Sequence, residues 1–189
     1  MNYESVRMET KSKIIRAFWE FYKNTNIEKI TVKNITDACG IYRTTFYLHF
    51  SDIYAILELI EEELLKELRA VSGEALRTEE ERQERRNEIF AMLRKNSDYL
   101  RVLLDGRHHP AFAEAYKQEL IRRISMGHSV DLEQCDEKTR RIAGHTLSAM
   151  VDLFFTLAEE EGLSEEELFG IVEGYLRKGI LATLTGGKG

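Results

Sequence analysis

The chain has 189 residues, 43% of them hydrophobic and 32% charged, an ordinary balance for a globular protein and enough length to bury a substantial core. One proline, Pro110, and abundant Leu, Glu, Lys and Arg point to helix nearly throughout, and no apolar run nears the ~20 residues that span a bilayer. Cys39 and Cys135 are too few for a disulfide framework, and Met1 to Thr10 carries no apolar signal segment, so a reducing cytoplasm is the expected setting.

The formal net charge of −6 argues against a nucleic-acid partner until it is divided along the chain. Residues 1–50 hold eight Lys or Arg against five Asp or Glu, and the remainder holds nineteen against twenty-eight. Charges are screened beyond about 8 Å at physiological salt, so a basic head on an acidic body still attracts phosphate locally.

Apolar residues recur at helical spacing from about residue 8 to 24, through Ile14, Ile15, Phe18, Phe21 and Tyr22, and Asn24-Thr25-Asn26 ends that helix. A short helix follows over about 32–39, with Thr31 as its N-cap and Gly40 as its terminator. A second short helix is expected over about 43–50, and Ser51-Asp52 breaks and caps before a long helix reaching about Val71. The charged stretch Thr78 to Glu88 reads as a solvated helix face, and a further helix is expected over about 96–104. Pro110 suits the first turn of a helix running to about Met126. Two final helices are expected over roughly 136–160 and 164–184, the last opened by a Ser164/Glu167 capping box. No stretch alternates with period two, so the fold class is all-α. Its division is an N-terminal head over 1–50 and a helical body over 51–189, joined by the long fourth helix.

The run from Thr31 to Phe50 carries the chemistry. Ile35 and Cys39 share one face of the first short helix, Ile41 follows the turn glycine, and Phe46 and Phe50 lie four apart on the second. Apolar slots around a turn glycine, with the small Thr36 at the approach, are the requirement of a helix-turn-helix. The second helix is left to expose Tyr42, Arg43, Thr44, Thr45, Tyr47 and His49, all hydrogen-bonding groups. No acidic residue lies between Asp37 and Asp52 in a chain where acids outnumber bases. A surface facing phosphate must avoid carboxylates. Arg43 in a first turn opposes the helix dipole slightly, a cost that an external anion would explain. Arg43 and Thr44 are therefore expected to read base edges, while Thr31, Lys33 and Tyr47 hold phosphates and fix register.

The order Thr31-Val32, Ile35, Ala38-Cys39-Gly40-Ile41 and Thr45-Phe46-Tyr47-Leu48-His49-Phe50 resembles the TetR family of bacterial transcription regulators, over about residues 10–60. That resemblance implies a homodimer on double-stranded DNA with an inverted-repeat operator, most often as a repressor. It also implies that Tyr47 and His49 seat the recognition helix on the backbone. Four positions depart from the family pattern: Tyr42 replaces a capping serine, Ile53 replaces a phosphate-reaching lysine, and Thr36 and Cys39 replace alanines.

The two C-terminal helices carry dense apolar positions, among them Ile142, Leu147, Met150, Leu153, Phe154 and Leu157, followed by Leu168, Ile171, Val172 and Tyr175. The resemblance implies that they form a four-helix dimer interface. It further implies a small-molecule effector in the body, for which Phe90, Tyr99, Phe112, Tyr116, Met150 and Phe154 are the candidate pocket residues. Neutral or cationic apolar compounds suit an acidic body best. No Gly-rich phosphate loop, nucleophile elbow, zinc-spaced cluster or Glu-x-x-His pair is present, so neither an enzyme nor a metal or cofactor is expected. His108-His109 reads as a loop pair rather than a metal site. The competing reading from another class is a helical protein-interaction module that binds no DNA.

Overall fold

A computed structural model describes residues 3–71, 78–104, 109–127 and 135–157, together with Glu167, Gly170, Ile171 and Gly174. All regular structure among these residues is helical: α1 (Tyr3–Tyr22), α2 (Val32–Cys39), α3 (Arg43–Tyr47), α4 (Tyr54–Ala70), α5 (Glu79–Lys95), α6 (Ser97–Leu103), α7 (Pro110–Gly127) and α8 (Glu137–Leu157), with one 3-10 turn at Ile27–Lys29. The all-α expectation holds. No described helix is long and apolar enough to cross a membrane. The chain divides into two compact units, Met1–Leu64 and Leu65–Gly189, and the division falls within α4.

In the first unit α1 packs on α2, and α2 on α3. The stripe Ile14, Phe18, Tyr22 of α1 is buried with Ile30, Ile35, Phe46, Phe50 and Ile56. Phe18 and Tyr22 stack with ring centroids 5.4 Å apart, the contact expected of residues one helical turn apart. Helix α1 begins five residues earlier than its apolar pattern predicts, since residues 4–9 are all exposed and add no period to read. At the start of α4, Asp52 caps as expected: its Oδ1 accepts the Ala55 amide at 2.9 Å.

The second unit is fastened by polar side chains at helix junctions. Asn96, between α5 and α6, is buried and donates from Nδ2 to the Met92 carbonyl at 3.1 Å and to Glu67 Oε2 at 2.7 Å. Glu67 of α4 also accepts from Lys95 Nζ at 2.6 Å, and that hydrogen bond is the chief reason its carboxyl lies below the ordinary range. On α7, Arg123 donates to the Val71 carbonyl at 2.7 Å, closing the open end of α4. Burial works against the charge of Glu119, but Arg122 and Arg123 outweigh it and hold its carboxyl low. A Thr78/Glu81 capping box starts α5, and Pro110 opens α7 as expected. His109 is half-buried and its carbonyl accepts the Ala113 amide at 3.1 Å. The helix expected over 164–184, its Ser164 cap, and His108 fall outside the described residues, apart from the four residues named above.

Candidate nucleic-acid interface

The two short helices are held by local chemistry at each end. Thr31 caps α2 reciprocally: its Oγ1 accepts the Asn34 amide at 3.2 Å, and its own amide donates to Asn34 Oδ1 at 2.9 Å. Gly40 ends the helix in the left-handed region, with φ 65° and ψ 36°. That conformation admits glycine freely and lets the Ile41 amide fold back on the Thr36 carbonyl at 3.1 Å. The sharp turn follows from these bonds.

Behind the turn, Ile35 and Phe46 are fully buried, and Thr36 and Phe50 nearly so. Thr36 keeps its hydroxyl satisfied by donating to the Lys33 carbonyl at 3.1 Å, so its replacement of alanine brings no orphan polar atom into the core. Cys39 is half-buried and points its Sγ to the Lys13 carbonyl of α1 at 3.5 Å. Burial pushes that thiol up, against the pull of Lys13, so it stays protonated.

The second helix is shorter than the sequence suggests. Regular α geometry ends at Tyr47, and Leu48, His49 and Phe50 continue as hydrogen-bonded turns onto the Thr45 and Phe46 carbonyls. The rings of Phe46 and Phe50, tilted against each other with centroids 6.1 Å apart, keep the i, i+4 relation that the apolar pattern records. With five residues α3 has little macrodipole, so the dipole argument for Arg43 carries no weight in the folded chain. Tyr42 is the N-cap and makes no side-chain capping bond; its carbonyl alone starts the helix, accepting the Thr45 and Phe46 amides.

Tyr42 is 83% exposed, and Arg43, Thr44 and Tyr47 are exposed with it. Thr31 and Lys33 are exposed on α2, and Thr45 is half-buried. Tyr42, Arg43, Thr44, Thr45 and Tyr47 lie in the stretch free of acids, while Thr31 and Lys33 precede Asp37. His49 is half-buried rather than open, and feels the charge of two residues that sequence reasoning assigned no role, Arg7 and Lys11 of α1. Burial, then Arg7, then Lys11, hold the imidazole below its ordinary value. A signal was present: positions 7 and 11 continue the α1 stripe of Ile14, Phe18 and Tyr22 in steps of three and four. Ile53 is buried, so it serves the core where a lysine would have reached outward.

In the second unit the residues read as an effector pocket separate by burial. Phe112 and Tyr116 are buried with ring centroids 5.7 Å apart, while Phe90 and Tyr99 are half-buried. The side chains of Met150 and Phe154 fall outside the described residues. The Tyr116 hydroxyl is fully enclosed and has no hydrogen-bond partner among the described residues. Among the described residues no three His, Cys, Asp or Glu side chains gather closely enough to hold a metal ion.

No protein-family model matches the chain, and no curated protein matches it. Among solved structures the chain shares the fold of a regulator. That protein is the flavonoid-responsive regulator FrrA, which superposes with a TM-score of 0.56 at 19% identity, over 93% of this chain and 96% of that one. At that identity the likeness is one of fold.

Proposed function

We propose that the protein is a TetR-like transcriptional regulator, acting in the cytoplasm as a homodimeric repressor on an inverted-repeat DNA operator. The observation that carries this reading is the exposed face Tyr42, Arg43, Thr44 and Tyr47, free of carboxylates and backed by the buried Ile35, Phe46 and Phe50. The fold shared with a regulator over nearly the full length supports it. Arg43 and Thr44 read base edges, while Thr31, Lys33, Thr45, Tyr47 and His49 engage the backbone; Tyr42 lies over the groove as an open aromatic rather than a cap. The chain performs no catalysis, and the reading needs neither metal nor cofactor.

Operator affinity is governed by a neutral aromatic effector in the second unit. The similar regulator responds to flavonoids by name. Here the buried Phe112–Tyr116 ring pair and the unsatisfied Tyr116 hydroxyl are the groups that an effector entering the core would meet.

Dimerisation rests on α8. Its positions 142, 146, 149 and 153 fall on one face, all exposed and all uncharged: Ile142, Thr146, Ala149 and Leu153. Selection of bound sites from random duplexes, repeated with a flavonoid panel, tests the whole reading. An inverted repeat with half-sites about 34 Å apart, or a multiple, is the expected result. Recovery of no enriched sequence would overturn the regulator reading. Arg43→Ala should weaken binding to the selected site by about 1–3 kcal/mol and relax one base position.

A further inference from the structure

The stripe on α1 changes character along its length. Ile14, Phe18 and Tyr22 are buried, and one and two turns toward the N-terminus the same face presents Lys11 and Arg7. Lys11 Nζ stands over the Phe50 ring, 5.8 Å from its centroid, which brings this end of α1 onto the turn after α3. His49 occupies that turn and feels both Arg7 and Lys11. Three cationic or potentially cationic groups from two elements therefore meet at one edge of the helix-turn-helix.

Among the described residues no ion pair neutralises them. By contrast, Lys13 of α1 pairs with Glu9 at 2.8 Å, and Lys23, just after α1, with Glu20 at 2.9 Å. Among the described residues no carboxylate bonds to Arg7, Lys11 or His49. Asp52, the nearest acid to His49 along its own segment, turns Oδ1 to the Ala55 amide instead. The chain carries 33 acidic side chains, so leaving this cluster unpaired is not for want of partners. Gathering like charges without a counter-ion is unfavourable, and an external anion reverses the sign of that energy.

We propose that Arg7, Lys11 and His49 form a phosphate-binding site that grips the DNA backbone from α1, beside the base-reading residues of α3. The proposal rests on the DNA-binding reading and adds to it a contact from outside the helix-turn-helix. The aromatic ring of Phe50 gives the site a low-dielectric floor, which strengthens each charge–charge contact above it. It also carries a proton linkage. In the free protein burial, then Arg7 and Lys11, disfavour the charged form of His49, and a bound phosphate favours it. Binding thus takes up a proton at His49, and affinity falls as pH rises.

The test is fluorescence anisotropy of the full chain with a labelled random-sequence 40-base-pair duplex, from about 50 to 200 mM KCl. Each neutralised phosphate contributes about 0.9 to the slope of log affinity against log salt. Arg7→Gln/Lys11→Gln should reduce that slope by about 1–2 per protomer and weaken binding at 50 mM salt by roughly tenfold or more. Lys13→Gln/Lys23→Gln, which removes two paired cations from α1 and the turn after it, should leave the slope unchanged. Arg7→Lys/Lys11→Arg keeps the charges and should bind as the parent does, separating charge from folding. Circular dichroism of Arg7→Gln alone, at an exposed position, gives a folded single variant with about half the slope change. His49→Gln should flatten the rise in affinity on lowering pH from 8 to 6. An unchanged slope in the Arg7/Lys11 variant, with the parent binding normally, would overturn this site and leave the recognition helix standing. A parent chain that binds no duplex at any salt overturns both.

Discussion

Tyr116 stacks on Phe112 and encloses its hydroxyl without an acceptor. Burial, with the charge of Glu67 adding, pushes the phenol well above its ordinary range, so it remains a donor at every physiological pH. An enclosed donor left unsatisfied costs about 1–3 kcal/mol. Tyr116→Phe should therefore be neutral or stabilising by up to about 1 kcal/mol in urea unfolding, while blunting any response to an aromatic effector. A clear loss of stability would reveal an acceptor for that hydroxyl. Glu67 supplies the pH counterpart. Its folded carboxyl lies low chiefly through the Lys95 hydrogen bond, with Asn96 assisting against burial. A carboxyl lowered on folding stabilises above its unfolded value, near 4.5, and that stability is lost as pH falls through the folded value. Lys95→Met should make the unfolding midpoint less sensitive to pH between 5 and 3, measured by thermal melts.

At the scale of elements, the turn between α2 and α3 depends on Gly40. Its φ of 65° is a left-handed conformation that costs other L-residues about 1–2 kcal/mol, and a Cβ built there meets nothing within 4 Å. Gly40→Ala should therefore cost about 1–2 kcal/mol of stability from backbone strain alone, with Gly40→Asn costing less, as read by chemical denaturation. If both variants match the parent, the turn is not held in that geometry. Much of this segment was legible in the residues: the Thr31 cap, the glycine stop and the Ile35, Phe46 and Phe50 slots are local patterns with one physical solution. The true end of α3 was not legible. Phe46 and Phe50 keep helical spacing whether the last residues are regular helix or tightened turns. His49 shows the same limit, because it feels Arg7 and Lys11, which lie far from it in sequence.

For the whole molecule, the exposed apolar positions on α8 are the informative ones. Ile142 is 54% exposed and Leu153 36%, in line with Thr146 and Ala149 and with no charge among the four. An uncharged helix face on a chain that is 32% charged suits a partner helix. Ile142→Glu/Leu153→Glu should keep the helical signal, since both side chains are open in the monomer. It should also convert a dimer to monomers in sedimentation velocity and weaken operator binding with it. Retention of the parental mass would remove α8 from the interface. The sequence by itself determined the all-α class, the helix-turn-helix and its acid-free face. Helical period, capping residues and the absence of carboxylates are properties of a short stretch of chain. Only the tertiary structure decided that Arg7 and Lys11 join His49, that Tyr116 lacks an acceptor and that Ile53 belongs to the core. Each depends on which distant residues meet, and that is set by packing rather than by any local pattern. The acid-free helix α3 could be read directly, whereas the cationic edge beside it became visible only when Lys11 of α1 was seen over Phe50.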